Sequence, residues 1–395
     1  MTAVDGLDVV VSGAGIGGMT AAVLLARAGA TVTLLERVAE VRAVGAGILL
    51  QPNGLAVLTG AGLDGPVRAA GRLVGSVVVR GPAGEPISEF AVPEFGPGLD
   101  HHVAVRRSVL HGVLLDAVHA EPRITLQLAT PVVAADRRGV VRTGSGAVLS
   151  CDLVVGADGA RSAVRDEIAF GARVRTSREV YVRGLVPLPD GAAAGEVWTP
   201  LGIFGGAPVD AQTHYFYLSA TAPAVRDAVA ARDLDALRRA WTAQLPAAAR
   251  VLDAVGSFDE LLVNDVPLVR CARFHDGRRV LVGDAAHALA PTSGQGANSA
   301  LVDAAVLVAA LAAAPTADAA LARYTARRRR AVLAVATRAD LLTRMAHLRS
   351  PRTRAVRDRL LRALGTLPGA GERAVRALQQ EDPVRLRALT ARIAG

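Results

Sequence analysis

The sequence predicts an α/β protein with a Rossmann-like domain, an inserted, mainly antiparallel β-sheet domain and a helical C-terminal region. Three observations carry this. The chain opens on a strand, a glycine-rich turn, a helix and a second strand. Two further strands, far downstream, each run into a turn that joins glycine to an acid. Between those two strands lies a stretch richer in Pro, Trp and Tyr, with the two-residue alternation of half-buried strands.

Asp8-Val9-Val10-Val11-Ser12 is a short β-branched run that stops at glycine, the pattern of a buried strand. Gly13 to Gly18 form the turn. Met19 to Arg27 have helical spacing, and Gly29 is the stop. Thr31 to Glu36 read as the second strand. A Gly/Pro-rich stretch with strand-like pieces runs from Leu73 to Gly98, and a helix is predicted from Arg107 to His119. Two strands flank the Gly144-Ser145-Gly146 turn, and Leu153-Val154-Val155 is another buried strand. Val180 to Val269 read as antiparallel sheet with one or two helices. Arg279 to Gly283 begin a third α/β element, and the chain from Asn298 onward is helical in pattern. The predicted domains are therefore discontinuous: residues 1–72, 99–178 and 270–320 in one, 73–98 and 179–269 in the second, and 321–395 as C-terminal helices.

Composition narrows the function classes. Of 395 residues 51% are hydrophobic, enough for a sizeable core. Lysine is absent, and arginine supplies a net charge of +9, which favours anionic partners in general. The arginines are scattered and no nucleic-acid-binding signature is present, so no nucleic-acid partner is expected. The one run, Arg327 to Arg330, spreads around a helix and reads as a solvated surface. Cys151 and Cys271 are far apart, which predicts two buried apolar thiols and neither disulfide nor metal site. The longest apolar stretch, Ala304 to Ala314, is too short to cross a bilayer, so a cytoplasmic protein without a membrane partner is expected.

Gly13-Ala14-Gly15-Ile16-Gly17-Gly18 fits the G-x-G-x-x-G pattern. The first glycine permits the tight turn, the second lets backbone approach a pyrophosphate, and the third packs helix on strand. The helix start then presents free N–H groups and its positive dipole end. Glu36, ending the second strand, is placed to accept hydrogen bonds from an adenosine ribose. The second motif runs from Cys151 to Arg165. Asp158 can bond backbone N–H groups in its turn, Gly159 reverses the chain, and Arg161 and Arg165 follow. The third is Gly283-Asp284, continuing through Pro291-Thr292-Ser293-Gly294-Gln295-Gly296-Ala297-Asn298 into a long apolar helix.

In this order and at these positions, the three motifs resemble those of the class A, para-hydroxybenzoate hydroxylase-like flavin monooxygenases. Glu36-Arg37, Arg42, Gly45-Ala46-Gly47, Gln51-Pro52-Asn53-Gly54, Arg107 and Asp303 extend the likeness. Val109 departs from it, since many members carry an acid there. The resemblance implies a Rossmann-like FAD-binding domain. Gly13, Gly15 and Gly18 would hold the pyrophosphate, Glu36 the ribose, and Arg107 the phosphate or ribityl side. Arg37 neighbours that ribose site, and Arg42, Ala46 and Gly47 would lie near a mobile isoalloxazine. Asp158 and Arg161 would serve both FAD and NAD(P)H. Asp284, Gly294, Gly296, Ala297 and Asn298 would meet the ribityl chain and ring, and Pro291 the substrate side of the ring.

The implied reaction is reduction of FAD by NAD(P)H, formation of a flavin C4a-hydroperoxide with dioxygen, and oxygen transfer to an aromatic or polyketide-like small molecule. It needs no metal. Candidate substrate contacts on the middle sheet are Arg183, His214, Tyr215 and Tyr217. Strand alternation turns His214 one way and the two tyrosines the other, so only one set can face a pocket. His287 reads as a loop support, and His101 and His102 as exposed loop residues. The same motifs would also serve epoxidation or Baeyer–Villiger insertion, or a flavin-binding partner protein without turnover. A tryptophan-rich halogenase motif is not evident. Neither the oligomeric state nor the choice between NADH and NADPH is legible.

Overall fold

The computed structural model describes residues 4–41 and 46–394. Its first sheet has six strands. In chain order these are β1 (Asp8–Ser12), β2 (Thr31–Leu35), β7 (Ile124–Gln127), β8 (Leu153–Gly156), β14 (His275–Asp276) and β15 (Arg279–Leu281), numbered among the other strands named below. They lie in the order β14-β15-β8-β1-β2-β7, parallel throughout except for the β14–β15 pair. From β1 the chain winds one way to β2 and later the other way to β8. The crevice beyond the carboxyl ends of β1 and β8 is thus a topological switch point, where open α/β sheets take ligands. Valines fill β1 because Val9 to Ser12 are all buried, so alternation is not needed.

Helix α1 (Ile16–Arg27) and helix α4 (Gly296–Ala313) pack against each other behind this crevice. Helix α4 is longer than the apolar stretch read from sequence. Its 18 residues have a mean hydropathy of 1.7, long and apolar enough by composition to cross a membrane. The physical reason for its apolar surface is internal. It is wrapped by α1, α2 (Pro52–Gly60), α5 (Ala317–Ala346) and α8 (Pro383–Ala394). Its polar residues Asn298, Ser299 and Asp303 are buried and hydrogen-bonded within the protein.

The second sheet has seven strands: β4 (Ser76–Arg80), β5 (Pro86–Ala91), β9 (Ala172–Pro187), β10 (Gly195–Thr199), β11 (Gly202–Pro208), β12 (Thr213–Ser219) and β13 (Leu262–Cys271). Their order is β13-β9-β12-β11-β10-β4-β5. Only the β10–β4 contact is parallel. One face packs on helices Pro223–Ala230 and Leu234–Thr242, with Phe204, Phe216 and Trp241 at the centre. Phe204 stacks on Phe216 at 6.2 Å and meets Trp241 edge-on at 5.4 Å. Truncating Phe216 to alanine would cost about 3–5 kcal/mol, as for other buried rings. The opposite face is the one that looks toward the switch point.

A small antiparallel sheet joins the two halves, with β6 (His102–Arg106) between β3 (Gly47–Leu50) and the strand Arg72–Val74. Helix α3 (Arg107–Ala120) starts directly after β6, and Val109 packs against the main core. Helices α6 (Pro351–Gly365) and α7 (Ala370–Leu378) lean on β5. Cys151 and Cys271 are buried, and burial pushes both thiols up to about 11, as expected of inert core residues.

The arginine run corrects its sequence reading. Arg328 is fully buried, and its Nε donates to Asp303 at 2.6 Å while Nη2 reaches Gln380 at 2.5 Å. Arg327 forks onto Glu381 at 2.7 and 2.8 Å. Four residues around a helix must include one that points inward, and here an inward acid meets it. His102 is a second correction. It is 4% exposed on β6, because the strand runs between two neighbours, whereas His101 is partly exposed and bonds Asp100 and Arg68.

Candidate active site

A cavity of about 510 Å³ lies between the switch point and the seven-stranded sheet. One wall is backbone. Gly15, Ile16 and Gly17 border it from the first turn, Ala157 and Gly159 from the second, and Gly283, Gly294, Gly296 and Ala297 from the third. The glycine turn needs its glycines for contact as well as for curvature. Gly13 has φ +101°, and a Cβ on Gly18 would sit 1.8 Å from the Gly13 carbonyl oxygen. Above Gly15 there is open space, with nothing within 4 Å of where a Cβ would stand. The start of α1 has no side-chain cap, so its N–H groups remain available to a phosphate.

Glu36 ends β2 with Oε2 accepting from Ala14 N at 2.7 Å and Oε1 from Val38 N at 3.2 Å, which holds the acid at the lip of the turn. Arg107 begins α3, its N–H bonded to the Ala46 carbonyl at 3.1 Å, and its side chain enters the cavity. Burial lowers its guanidinium pKa, opposed by Asp284 and reinforced by Arg183. Asp284 is open to the cavity yet enclosed by protein on its other sides. That depth raises its carboxyl above the ordinary range, while His287 and Arg107 pull it back. Among the described residues, the side chains of Arg107 and Asp284 make no hydrogen bond, and both line the cavity.

The third turn is anchored from behind. Asp303 Oδ2 accepts from Gly283 N at 2.8 Å and from His287 Nε2 at 2.5 Å, and Oδ1 takes the Arg328 guanidinium. Burial alone would raise this carboxyl, but attraction to His287 and Arg328 and their hydrogen bonds hold it at about 2. His287 is thus a support for the loop. Arg165 ties the second turn to the third, with Nη1 on Ala285 O at 2.8 Å and Nη2 on Ala160 O at 2.7 Å.

Several sequence-picked residues hold the loops without facing the cavity. Asp158 accepts from Ala163 and Val164 N–H groups at 2.7 and 3.2 Å and is not part of the cavity wall. Arg161 and Arg37 are exposed and away from it. The Asn298 side chain is spent on protein, accepting from Gln51 N at 3.0 Å and donating to the Leu49 and Gly294 carbonyls. It belongs to a buried amide network with Gln51, Asn53, Gln295 and Gln379. Arg42 lies outside the described residues.

The opposite wall is made of side chains. Tyr215 and Tyr217 line the cavity with Arg183 and Tyr181, and Pro291 borders it from the third turn. His214 lies off the cavity. It is 6% exposed on the reverse face, where burial lowers its imidazole to about 4. Tyr215 also covers Gly47, whose absent Cβ leaves room for the ring. Sequence reading missed Glu196, Trp198 and His102 in this wall. Glu196 Oε1 accepts from the Tyr217 hydroxyl at 2.5 Å, and Oε2 from Trp198 Nε1 at 2.8 Å. No local motif marks Glu196. Only strand register brings it to the cavity.

The open space over the helix start, the acid at the end of β2 and the two unbonded charged side chains in the wall fit a flavin dinucleotide. Residues 6–339 match the family model described as FAD binding domain. This chain belongs to that family. It is a flavoprotein oxidoreductase that binds FAD. It is 33% identical to the aurachin C monooxygenase/isomerase of Stigmatella aurantiaca over 332 residues, covering 81% of this chain and 85% of that relative. It is also 33% identical to the 2-heptyl-3-hydroxy-4(1H)-quinolone synthase of a Pseudomonas aeruginosa strain, covering 79% and 82%. Among solved structures, Klebsiella pneumoniae HpxO complexed with FAD and uric acid superposes with a TM-score of 0.80 at 25% identity, covering 96% of this chain and 97% of that one.

Proposed function

We propose that this flavoprotein is a single-component monooxygenase that uses NAD(P)H and dioxygen to hydroxylate an aromatic or fused heteroaromatic small molecule. The observation that carries the reading is the two-walled cavity: dinucleotide-fitting backbone on one side and a tyrosine-lined sheet on the other, within one continuous space. The names of the relatives support an aromatic substrate, since one is a 2-heptyl-3-hydroxy-4(1H)-quinolone synthase and another an FAD-dependent urate hydroxylase. In this reading residues 1–72, 99–178 and 270–320 form the FAD-binding domain, and the seven-stranded sheet, apart from residues 172–178 of β9 and 270–271 of β13, belongs to the substrate domain.

When bound and reduced by NAD(P)H, FAD supplies the activated dioxygen, one atom of which enters the substrate while the other leaves as water. The chain supplies the rest. Gly13 to Gly18 and the start of α1 hold the pyrophosphate, and Glu36 the ribose. Arg107 and Asp284 orient the ribityl side. The start of α4, at Gly296, would offer N–H groups and its positive dipole end to the ring, where negative charge gathers on reduction. Pro291 and the tyrosines shape the substrate's plane, and apolar residues such as Val77, Val79 and Phe90 exclude water.

Stopped-flow reduction of the purified holoenzyme by NADH and by NADPH, with and without a panel of phenols, hydroxypyridines and quinolones, tests this. Substrate-stimulated reduction and a product heavier by one oxygen atom are expected. Flavin that binds but is reduced by neither nucleotide under any condition would overturn the reading.

A further inference from the structure

One row of residues crosses the cavity face of the seven-stranded sheet. Arg183 on β9 lies opposite Tyr217 on β12, Tyr217 opposite Gly205 on β11, and Gly205 opposite Glu196 on β10. Directly paired residues point to the same face, so the row is contiguous. Its middle position is empty by necessity. A Cβ on Gly205 would stand 2.6 Å from Cζ of the Tyr217 ring and 2.7 Å from its hydroxyl oxygen. The missing side chain lets the phenol lie across β11 and reach an acid two strands away.

The hydrogen bonds in this row have a direction. Indole nitrogen can only donate, so Trp198 fixes Glu196 Oε2 as an acceptor. Burial raises the Glu196 carboxyl, while the hydrogen bonds from Tyr217 and Trp198 act to keep it ionised, and as a carboxylate it accepts the phenol hydrogen bond on Oε1. Burial and the neighbouring Glu196 raise the Tyr217 phenol well above its ordinary value, so that proton stays on the tyrosine. With its one proton committed to Glu196, the Tyr217 oxygen has only lone pairs left for the cavity.

Building on the monooxygenase reading above, we infer that Glu196 is a specificity-determining residue. Acting through Tyr217, it selects substrates that present an O–H or ring N–H donor to the sheet and disfavours those that can only accept. Glu196 is a positioning residue here, and Tyr217 makes the contact. The partner at the far end of the row is Arg183, whose guanidinium makes no hydrogen bond among the described residues and faces the same cavity. The substrate class is therefore a hydroxylated or N–H heteroaromatic that carries an electron-rich acceptor, such as a carbonyl or carboxylate, on its other side.

The test is calorimetric titration of the oxidised holoenzyme with 4-hydroxyquinoline and 3-hydroxypyridine, each against its O-methyl ether. Wild type should bind each hydroxyl form about tenfold tighter, the size of one net hydrogen bond and the avoided burial of an unpaired acceptor. Glu196→Gln keeps the volume but offers an amide N–H to Tyr217, which frees the phenol proton to turn toward the cavity. The discrimination should then fall to about twofold or reverse. Tyr217→Phe should abolish it as well, which keeps the test decisive if Glu196→Gln folds poorly. Equal discrimination in wild type and both variants overturns the inference while leaving the monooxygenase reading intact. Failure of every compound both to bind and to stimulate NAD(P)H oxidation overturns that reading and this one together.

Discussion

The two walls of the cavity are built on different principles. The flavin-facing wall is made of turns in which glycine removes side chains so that backbone can meet a ligand, and it is braced from behind by Asp303, His287, Arg328 and Arg165. The sheet wall is made of side chains projected in register from neighbouring strands, with Tyr217, Glu196 and Arg183 in one row. Backbone walls suit a cofactor that is always the same. Side-chain walls can change residue by residue without disturbing the fold, so they are where a substrate is chosen.

If this division is right, damage to the first wall should appear as lost stability or lost FAD, and damage to the second as altered kinetics at full FAD content. The largest effect is expected for Arg328→Leu. Removing one partner of a buried ion pair leaves Asp303 uncompensated, at a cost of about 3–5 kcal/mol. The chemical-denaturation midpoint and the FAD content should fall together. An unchanged midpoint would mean that the brace is dispensable.

The same acid gives the brace a pH signature. The Asp303 carboxyl is held at about 2 in the folded chain, below the roughly 3.9 of an unfolded aspartate. A depressed carboxyl contributes its full stability above the unfolded value and loses it as the pH falls toward the folded one. The wild-type denaturation midpoint should therefore drop between about pH 4 and pH 2. The Arg328→Leu variant, lacking one charge that depresses the group, should drop less steeply over that window. Identical acid profiles would sever Asp303 from the effect.

Asp284→Ala comes next. It removes an unpaired acid from the cofactor wall and should weaken FAD retention by about tenfold, one to two charge-assisted hydrogen bonds' worth, as read by flavin absorbance after gel filtration. Full retention of flavin would remove Asp284 from the cofactor site. Tyr217→Phe should leave FAD content unchanged and lower kcat/KM for NAD(P)H oxidation with a hydroxylated heteroaromatic by about tenfold. If FAD content falls as much as kcat/KM, the two walls are not separable. The smallest effect is expected for His214→Ala, since its ring lies on the reverse face of the sheet. A change in kcat/KM beyond about twofold would show that this face communicates with the cavity.

Legibility followed the same division. Glycine spacing announces the first wall, because a turn that must touch backbone or ligand excludes every other residue, as at Gly13 and Gly18. The strands and helices around those turns fall where their apolar runs and stops put them, from β1 to α4. Individual roles within the motifs were less legible. Asp158 and Asn298 sit in the right turns, but their side chains are consumed by loop hydrogen bonds. A polar residue beside a ligand site and one that shapes the site look alike in sequence, since both are short hydrogen-bonding side chains next to glycine.

What the sequence determined by itself is the dinucleotide half: its order of elements, its three turns and the chemistry of the cofactor they admit. These are local properties, set by residues near one another in the chain. The other half was decided by tertiary structure. Alternation along β12 left two faces open, and only the packing of Phe216 into the cluster around Phe204 and Trp241 turned Tyr215 and Tyr217 toward the cavity. Glu196, 21 residues before Tyr217, became its partner through the register of three strands and the gap at Gly205. Arg328, buried rather than solvated, found an acid 25 residues away on a neighbouring helix. Each of these depends on which elements come together in space, and no spacing along the chain encodes that.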